Sequence, residues 1–461
     1  MFRTVAKLAE AAGGEVLFGN PEGAAGAIST DTRKITPGSC FVALIGENHD
    51  AHAFIPEAIS KGAGSVVVSK WDGPAPACAV IRVRDTQYAL GELARRHRAK
   101  FDIPVVAISG SNGKTSTKEM AAAIFGRNRN VLKNKGNFNN LIGLPLTLLE
   151  LEEEHQAAIV EMGINVPGEM ERLAEIGSPT AGIITNVQPA HLMGLESLDR
   201  ILEEKGRLWK SLRPDGIAVV NLDDRRLSEF AKALKVRKIT YSLADPSADV
   251  YSPSKIAVSE GTTRFSIRYG GTDIPVSLPI MGEHHAQNAL AAAAAALASG
   301  ISTDDVGAGL AAFESAGQRM QILKLRNGCT VVDDTYNANP GSMLAAVEAV
   351  VAASSGKPLV AVLGEMRELG HESPALHFGV GQRIGSARAS RLVTLGEMGS
   401  EIIKGAQAAG MDGSLCFHAR NHEEAVEYLK RHMPECAWIL VKGSRAMKME
   451  KVVEGIAGEW L

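Results

Sequence analysis

Cysteine is scarce in this chain and spaced without pattern. Cys40, Cys78, Cys329, Cys416 and Cys436 are scattered and odd in number, with no Cys-x-x-Cys pair, so neither a disulfide framework nor a cysteine zinc site is expected. A reducing compartment fits best. A basic excess is also missing: a formal net charge of −3 over 461 residues offers no footprint for nucleic acid, and no acidic tail is present. The stretch "MFRTVAKLAEAAGG" carries charges throughout and lacks the apolar core of a secretory signal. No apolar run is long enough for a bilayer. The longest, Ala289 to Ala298, is half a span and mostly alanine, so it reads as a close-packed helix. A cytoplasmic protein without a membrane span is expected.

What the chain does have is length and alternation. At 461 residues it exceeds one compact core, and two to four domains are expected. Short apolar runs alternate with helical patterning, the signature of an α/β fold with buried parallel strands. "GSCFVALIG" and "AGSVVVSK" form a first group. "IPVVAIS", "AAIVEM", "AGIIT" and "GIAVVNL" form a second, and "CTVVDD", "PLVAVLG", "RLVTLG" and "AWILVKG" a third. Boundaries near residues 84 and 313 divide the chain into units 1–84, 85–313 and 314–461. The strands end in polar residues: Ser109, Glu161, Thr185 with Asn186, Asn221 with Asp223, Asp334 and Lys442. Ligands of open α/β sheets bind beyond the carboxyl ends of the strands, so the chemistry should gather there.

The stretch "AISGSNGKTSTKEM" resembles a phosphate-binding loop with altered spacing. Two residues, rather than four, separate Gly110 from Gly113, and Ile108 stands where the longer pattern has glycine. The context still suits phosphate. A strand precedes Gly110-Ser111-Asn112-Gly113-Lys114-Thr115-Ser116 and a helix follows. Glycines let the backbone approach phosphate oxygens, and the helix N-terminus aims N–H groups at the anion. Lys114 would reach the outer phosphates of ATP and the Thr115 hydroxyl would ligate Mg²⁺. The plainer alternative is a tight strand-to-helix turn with an incidental lysine.

Three further residues draw notice. Glu161 ends an apolar strand, where a carboxylate either completes a magnesium shell or is a solvated surface group. His191, in "TNVQPAHLMG", follows the next strand and reads as a structural histidine or as a metal or phosphate ligand. Lys205 falls on the apolar stripe formed by Ile201, Leu202, Leu208 and Trp209. Either its stem lies on the core with the amine in water, or the amine is desolvated, with a lowered pKa. Gly206 beside it costs a helix about 1 kcal/mol relative to alanine. "NKGNFNNLIG" gathers Asn134, Asn137, Asn139 and Asn140 in one loop. "VVDDTYNANPGSM" places Asp334, Tyr336, Asn337 and Asn339 after a strand, suited to a nucleoside or small polar ligand, or to a capped polar turn.

Taken together, "GSNGKTSTKE", "GNFNNLIGLPLTLL", "EMGINVPGEM", "TNVQPAHLMG", "EEKGRL", "GEHHAQNALAAAA", "DDTYNANPGSM", "VLGEMRELG" and "VKGSRAMKME" resemble, in order, the motifs of the Mur ligases. The resemblance spans nearly the whole chain and includes "STDTRKITPGSCFVALIGENHDAH". It implies three domains: a small N-terminal α/β domain for a UDP-muramyl peptide, a central P-loop-type ATPase and a C-terminal Rossmann-like domain. It implies a monomeric, ATP- and Mg²⁺-dependent enzyme of peptidoglycan precursor synthesis that joins UDP-N-acetylmuramoyl tripeptide to D-alanyl-D-alanine through an acyl phosphate. It further implies that Glu161 and His191 ligate a second magnesium and that Lys205 is carbamylated. Asn288, Arg319, Asp334 and Tyr336 match nucleotide contacts, and Ser29, Asp31 and Arg33 match the uridine end. Asn137, Asn140, Asn337 and Asn339 lie where peptide is expected.

The sequence departs from the family pattern at His284-His285, where His-Asn is frequent, at Asp50-Ala51-His52, at Thr32 and at Ser116. A ligase adding the third peptide residue would be expected to show Asp-Asn-Pro-Arg, and no arginine follows Pro340. A folylpolyglutamate synthase would not need the N-terminal unit. A nucleotide-gated regulatory protein would use the same loop as a switch. A dinucleotide oxidoreductase fits least, because "GSNGKT" lacks the Gly-x-Gly-x-x-Gly spacing.

Overall fold

A computed structural model describes residues 2–46, 49–189, 192–195 and 197–460. Among these the chain forms three sheets, of five, ten and six strands. The first is ordered Glu15–Phe18, Ala79–Arg82, Ser65–Val68, Cys40–Val42, Ile28–Ser29, and only its Glu15–Phe18 edge is antiparallel. Among the described residues no helix is long and apolar enough to cross a membrane.

The second sheet positions the site. Strand Val105–Ser109 lies between Ala157–Glu161 on one side and Ala181–Ile184 on the other, all parallel. The chain thus turns outward in both directions from this strand, the kind of switch point at which α/β sheets open a crevice. Register brings the strand ends level: Ile108 lies opposite Glu161, and Ser109 opposite Ile184. The strand is apolar throughout because both faces are covered. Val106 and Ile108 pack with helices Lys114–Phe125 and Glu283–Ala298, whereas Val105 and Ala107 pack with helices Thr86–Arg98, Glu169–Gly177 and Leu198–Lys210. Helix Glu283–Ala298 contains the alanine run, buried from Ala289 to Leu297.

Beyond Arg237–Ser242 the sheet continues through Val250–Tyr251 into an antiparallel hairpin, Thr262–Tyr269 with Thr272–Leu278, edged by Ala257–Ser259. No apolar run announces these strands in the sequence, since polar residues interrupt every one. The pattern is alternation: Phe265, Ile267, Ile274, Val276 and Leu278 face the core, and Gly270-Gly271, both at positive φ, make the turn.

The third sheet runs Gln321–Lys324, Thr330–Asp334, Trp438–Lys442, Leu359–Gly364, Arg391–Leu395, Cys416–Ala419, parallel except at its first strand. Its register sets Asp334 beside Lys442. Asn339 caps helix Pro340–Ala353 through a reciprocal pair with Ser342, with Pro340 at the first helical position.

The helix that follows the phosphate loop is held from behind by helix Thr303–Ala311. A β-carbon added at Gly309 would stand 2.5 Å from Ile124 Cα and 2.8 Å from Ile124 N. Those are backbone atoms, so the helices would have to separate. Gly309→Ala should therefore destabilise the protein by roughly 1–3 kcal/mol through overpacking, despite the gain of about 1 kcal/mol in helix propensity. The urea midpoint checks this, and an unchanged or raised midpoint contradicts it.

Candidate active site

The loop after Val105–Ser109 is held by space and by hydrogen bonds. Gly110 has φ +142° and a β-carbon there would lie 1.8 Å from Thr185 Oγ1; Gly113 has φ +79° and a β-carbon would lie 2.3 Å from Asn288 Oδ1. Both positions therefore demand glycine on two counts. The Ser111 N–H donates to the Asn186 carbonyl (3.0 Å), and the Asn112 N–H donates to Asn186 Oδ1 (2.9 Å). The Ser111 hydroxyl donates to the Gln188 carbonyl (2.8 Å) and accepts from the Gln188 N–H (2.9 Å). The segment after the neighbouring strand thus moulds the loop and leaves the helix start at Lys114 for an anion.

Lys114 folds back to donate from Nζ to the carbonyls of Gly110 (2.9 Å) and Ser111 (3.3 Å). Burial pushes its pKa below the usual lysine range, nearby Glu161 opposes the shift, and Arg319 adds to it. The Thr115 hydroxyl donates to Glu161 Oε2 (2.8 Å) and accepts from Arg319 Nη2 (3.0 Å). Glu161 is no surface carboxylate: it is 3% exposed, and its Oε1 accepts from Asn139 Nδ2 (2.7 Å). Asn134 braces the same strand end, accepting from the Glu161 N–H and donating to its carbonyl. Two hard oxygen donors side by side at a phosphate loop suit Mg²⁺. Among the described residues there is no cluster of three or more His, Cys, Asp or Glu side chains that could hold a metal. His191 lies outside the described residues.

Of the two readings of Lys205, the amine in water is excluded. The residue is 2% exposed and makes no ion pair among the described residues. Burial, then the positive charge of Lys114, drives its pKa well below the ordinary lysine range against the pull of Glu204 and Glu161. Gly206 also acquires a reason, since a β-carbon there would stand 2.2 Å from the Phe230 ring. The helix gives up propensity so that an aromatic ring can pack against its backbone.

The opposite wall comes from the third sheet. Asp334 accepts from the Lys442 amine, which also donates to the Asn337 carbonyl (3.0 Å). The Arg319 guanidinium lies 4.0 Å from the Tyr336 ring centroid. Asn339 Nδ2 donates to Asn112 Oδ1 (2.7 Å), so the loop and the third sheet's helix cap touch directly. Between the walls is a cleft of about 810 Å³. Ser111 to Ser116, Asn137, Asn140, Glu161, Asn288, Arg319, Asp334, Tyr336, Asn337 and Asn339 all line it. Ser29, Asp31 and Arg33 do not. Asp31 instead caps a turn and grips Arg33 through two 2.9 Å contacts, and Arg33 holds its carboxyl down at about 2. The Ser29 hydroxyl closes the same turn by donating to the Asp31 carbonyl.

Nothing in the sequence marks Gln188 or Arg367 for the site, or Lys442 as the partner of Asp334. Gln188 and Arg367 lie in quoted motifs, but nothing in their spacing says which way they point. His285, seen only as a departure from pattern, is 3% exposed, lines the cleft and, among the described residues, has no hydrogen-bond partner at either ring nitrogen. Burial keeps it uncharged, and pushes His284 down to about 4.

Residues 108–296 match the family model for the Mur ligase middle domain, and residues 318–445 match the Mur ligase, glutamate ligase domain. An Escherichia coli UDP-N-acetylmuramoyl-tripeptide–D-alanyl-D-alanine ligase is 38% identical, covering 96% of each chain. The chain belongs to the Mur ligase family. Among solved structures, MurF from Acinetobacter baumannii superposes on this Mur ligase with a TM-score of 0.90, 31% identity and 99% coverage of both chains. MurF ligase from Thermotoga maritima, solved in complex with ADP, gives a TM-score of 0.83 at 25% identity, covering 94% of this chain and 97% of that one. As a Mur ligase the protein is an ATP-dependent ligase with the three-domain fold of these relatives.

Gly113→Ala would force a left-handed conformation on alanine and displace Asn288. ATP affinity should fall at least about tenfold, since a non-glycine residue held there costs on the order of 1–3 kcal/mol. Calorimetric titration with a non-hydrolysable ATP analogue checks it, and native affinity in the variant contradicts it.

Proposed function

We propose that this Mur ligase joins the amine of D-alanyl-D-alanine to the C-terminal carboxyl group of a UDP-N-acetylmuramoyl tripeptide at the expense of ATP, in peptidoglycan precursor synthesis. The observation that carries the reading is the near-full-length likeness, at 38% identity, to a ligase of that name. The chemistry of the cleft agrees with it.

A donor carboxylate and a triphosphate repel each other and meet only where positive charge screens both. Lys114 brings that charge from the middle unit and Arg319 from the far wall. A carboxylate oxygen bonds to the γ-phosphorus as the bond to the bridging oxygen breaks, giving an acyl phosphate and ADP. The dipeptide amine adds to the acyl carbon and loses a proton, and the tetrahedral adduct expels phosphate to leave the amide. Thr115 and Glu161 would hold Mg²⁺, which when bound supplies charge screening and polarises the phosphate.

We assign Glu161, His191 and Lys205 to a second magnesium, with Lys205 as its carbamate. Carbamylation bonds the neutral amine nitrogen to carbon dioxide and releases one proton, turning a cation into an anion. The buried, pKa-lowered amine of Lys205 supports this. Asn288, Arg319, Asp334 and Tyr336 serve the nucleotide, together with Gly110 and Ser116 of the loop. Asn137, Asn140, Asn337 and Asn339 serve the peptide, and Ser29, Asp31 and Arg33 the uridine end. We assign residues 1–84, 85–313 and 314–461 to the three domains. The working unit in this reading is a cytoplasmic monomer.

With ATP and Mg²⁺, sustained ADP release should require both the UDP-muramyl tripeptide and D-Ala-D-Ala; release indifferent to either overturns the assignment. Lys114→Ala should abolish turnover. Lys205→Ala should lose at least about 100-fold in kcat and regain part of it with added short carboxylates, whereas unchanged turnover sinks the carbamate.

A further inference from the structure

The proposed reaction leaves one charge without a protein partner. The incoming dipeptide spends its amine on the new bond, but its own C-terminal carboxylate stays ionised throughout. Bringing that group into a cleft is costly unless a cation meets it.

Six cations line the cleft: Lys114, Arg319, Arg367, Lys442, Arg445 and Lys448. Four are already engaged. Lys114 is bound to the loop carbonyls, and Arg319 to Thr115 and Tyr336. Lys442 is bound to Asp334, and Arg445 to Gln318 and Glu450. Arg367 and Lys448 remain, and they differ in how firmly they are held. Lys448 is an exposed lysine on a left-handed turn. Arg367 is mounted. Its Nε meets Oε1 of Glu365 at 2.5 Å, and the Glu365 side chain is only 6% exposed while that of Arg367 is 55% exposed. Its own N–H donates to the Ser444 hydroxyl (2.7 Å), the Ser444 N–H donates back to the Glu365 carbonyl (3.2 Å), and the Met366 N–H donates to His377 Nε2 (2.8 Å).

A guanidinium fixed at Nε still presents its two Nη groups as a fork, and among the described residues neither Nη has a partner. That fork matches a carboxylate with two parallel hydrogen bonds, which a lysine cannot supply. The loop also lies on the correct side of the cleft. The Glu368 carbonyl accepts from the Met193 N–H (3.3 Å), so Arg367 stands against the segment that follows strand Ala181–Ile184 and its phosphate-loop contacts.

We infer that Arg367, held by Glu365, binds the free carboxylate of the acceptor dipeptide and so sets its specificity for an acceptor ending in an acid. The inference rests on the ligase reaction proposed above. The test compares D-Ala-D-Ala with its C-terminal amide as acceptors. The native enzyme should use the amide with a KM at least about 30-fold higher, the range for losing a charged hydrogen-bond partner. In Arg367→Gln the KM for the free dipeptide should rise by a similar factor while that for the amide barely moves, so the preference collapses. The KM values for ATP and for the UDP-muramyl tripeptide should stay within about threefold of native. Arg367→Lys should recover part of the preference, and Lys448→Ala should keep all of it. Retention of the acid-over-amide ratio in Arg367→Gln, or its loss in Lys448→Ala, overturns the assignment. A native enzyme that ignores D-Ala-D-Ala yet ligates another acceptor fails the parent reading as well, a result distinct from either.

Discussion

The carboxyl end of strand Val105–Ser109 is the constraint on which the cleft depends. Because strands on both sides of it run parallel and end level with it, three separate chain segments come together within a few residues of Ser109. The Glu161 carboxylate, the Thr185 hydroxyl and the loop glycines each occupy space that only this register provides. Gly110 closes against Thr185 and Gly113 against Asn288. Through that same convergence the charge of Lys114 adds to burial in lowering the proton affinity of Lys205.

The middle unit offers half of a nucleotide site. Arg319 supplies the charge it lacks, and does so from a position stacked on Tyr336, so that one residue links the third sheet to the Thr115–Glu161 pair. Asp334 and Lys442 neutralise each other at the end of the third sheet, beside the uncharged amides of Asn337 and Asn339.

Much of this was legible in the sequence, for identifiable reasons. The strands around the loop are apolar on both faces and therefore stand out, and glycines with a lysine between strand and helix have few other uses. Lys205 was legible as an anomaly on an apolar stripe, but only its 2% exposure decides between water and burial. The hairpin at Thr262–Leu278 was missed because its buried residues alternate with exposed polar ones and form no run. The pairing of Asp334 with Lys442, and of Arg319 with Thr115, links positions 108 and 204 residues apart, which no local pattern encodes. His285 is visible only as a departure, and its lack of a hydrogen-bond partner among the described residues is a property of the folded surroundings.

One contact between the units differs in kind from the others. Asn112 uses both ends of a single carboxamide: its nitrogen donates to Gln188 Oε1 (2.7 Å) and its oxygen accepts from Asn339 (2.7 Å). The three amides form a short relay with a fixed direction, since each donor faces an acceptor and reversing any one sets like against like. Aspartate at 112 would have the same shape and would break the relay at Gln188. Gln188, on the middle unit's own side, thus fixes which end of the Asn112 carboxamide faces Asn339 across the cleft, a choice between oxygen and nitrogen that shape alone would leave open.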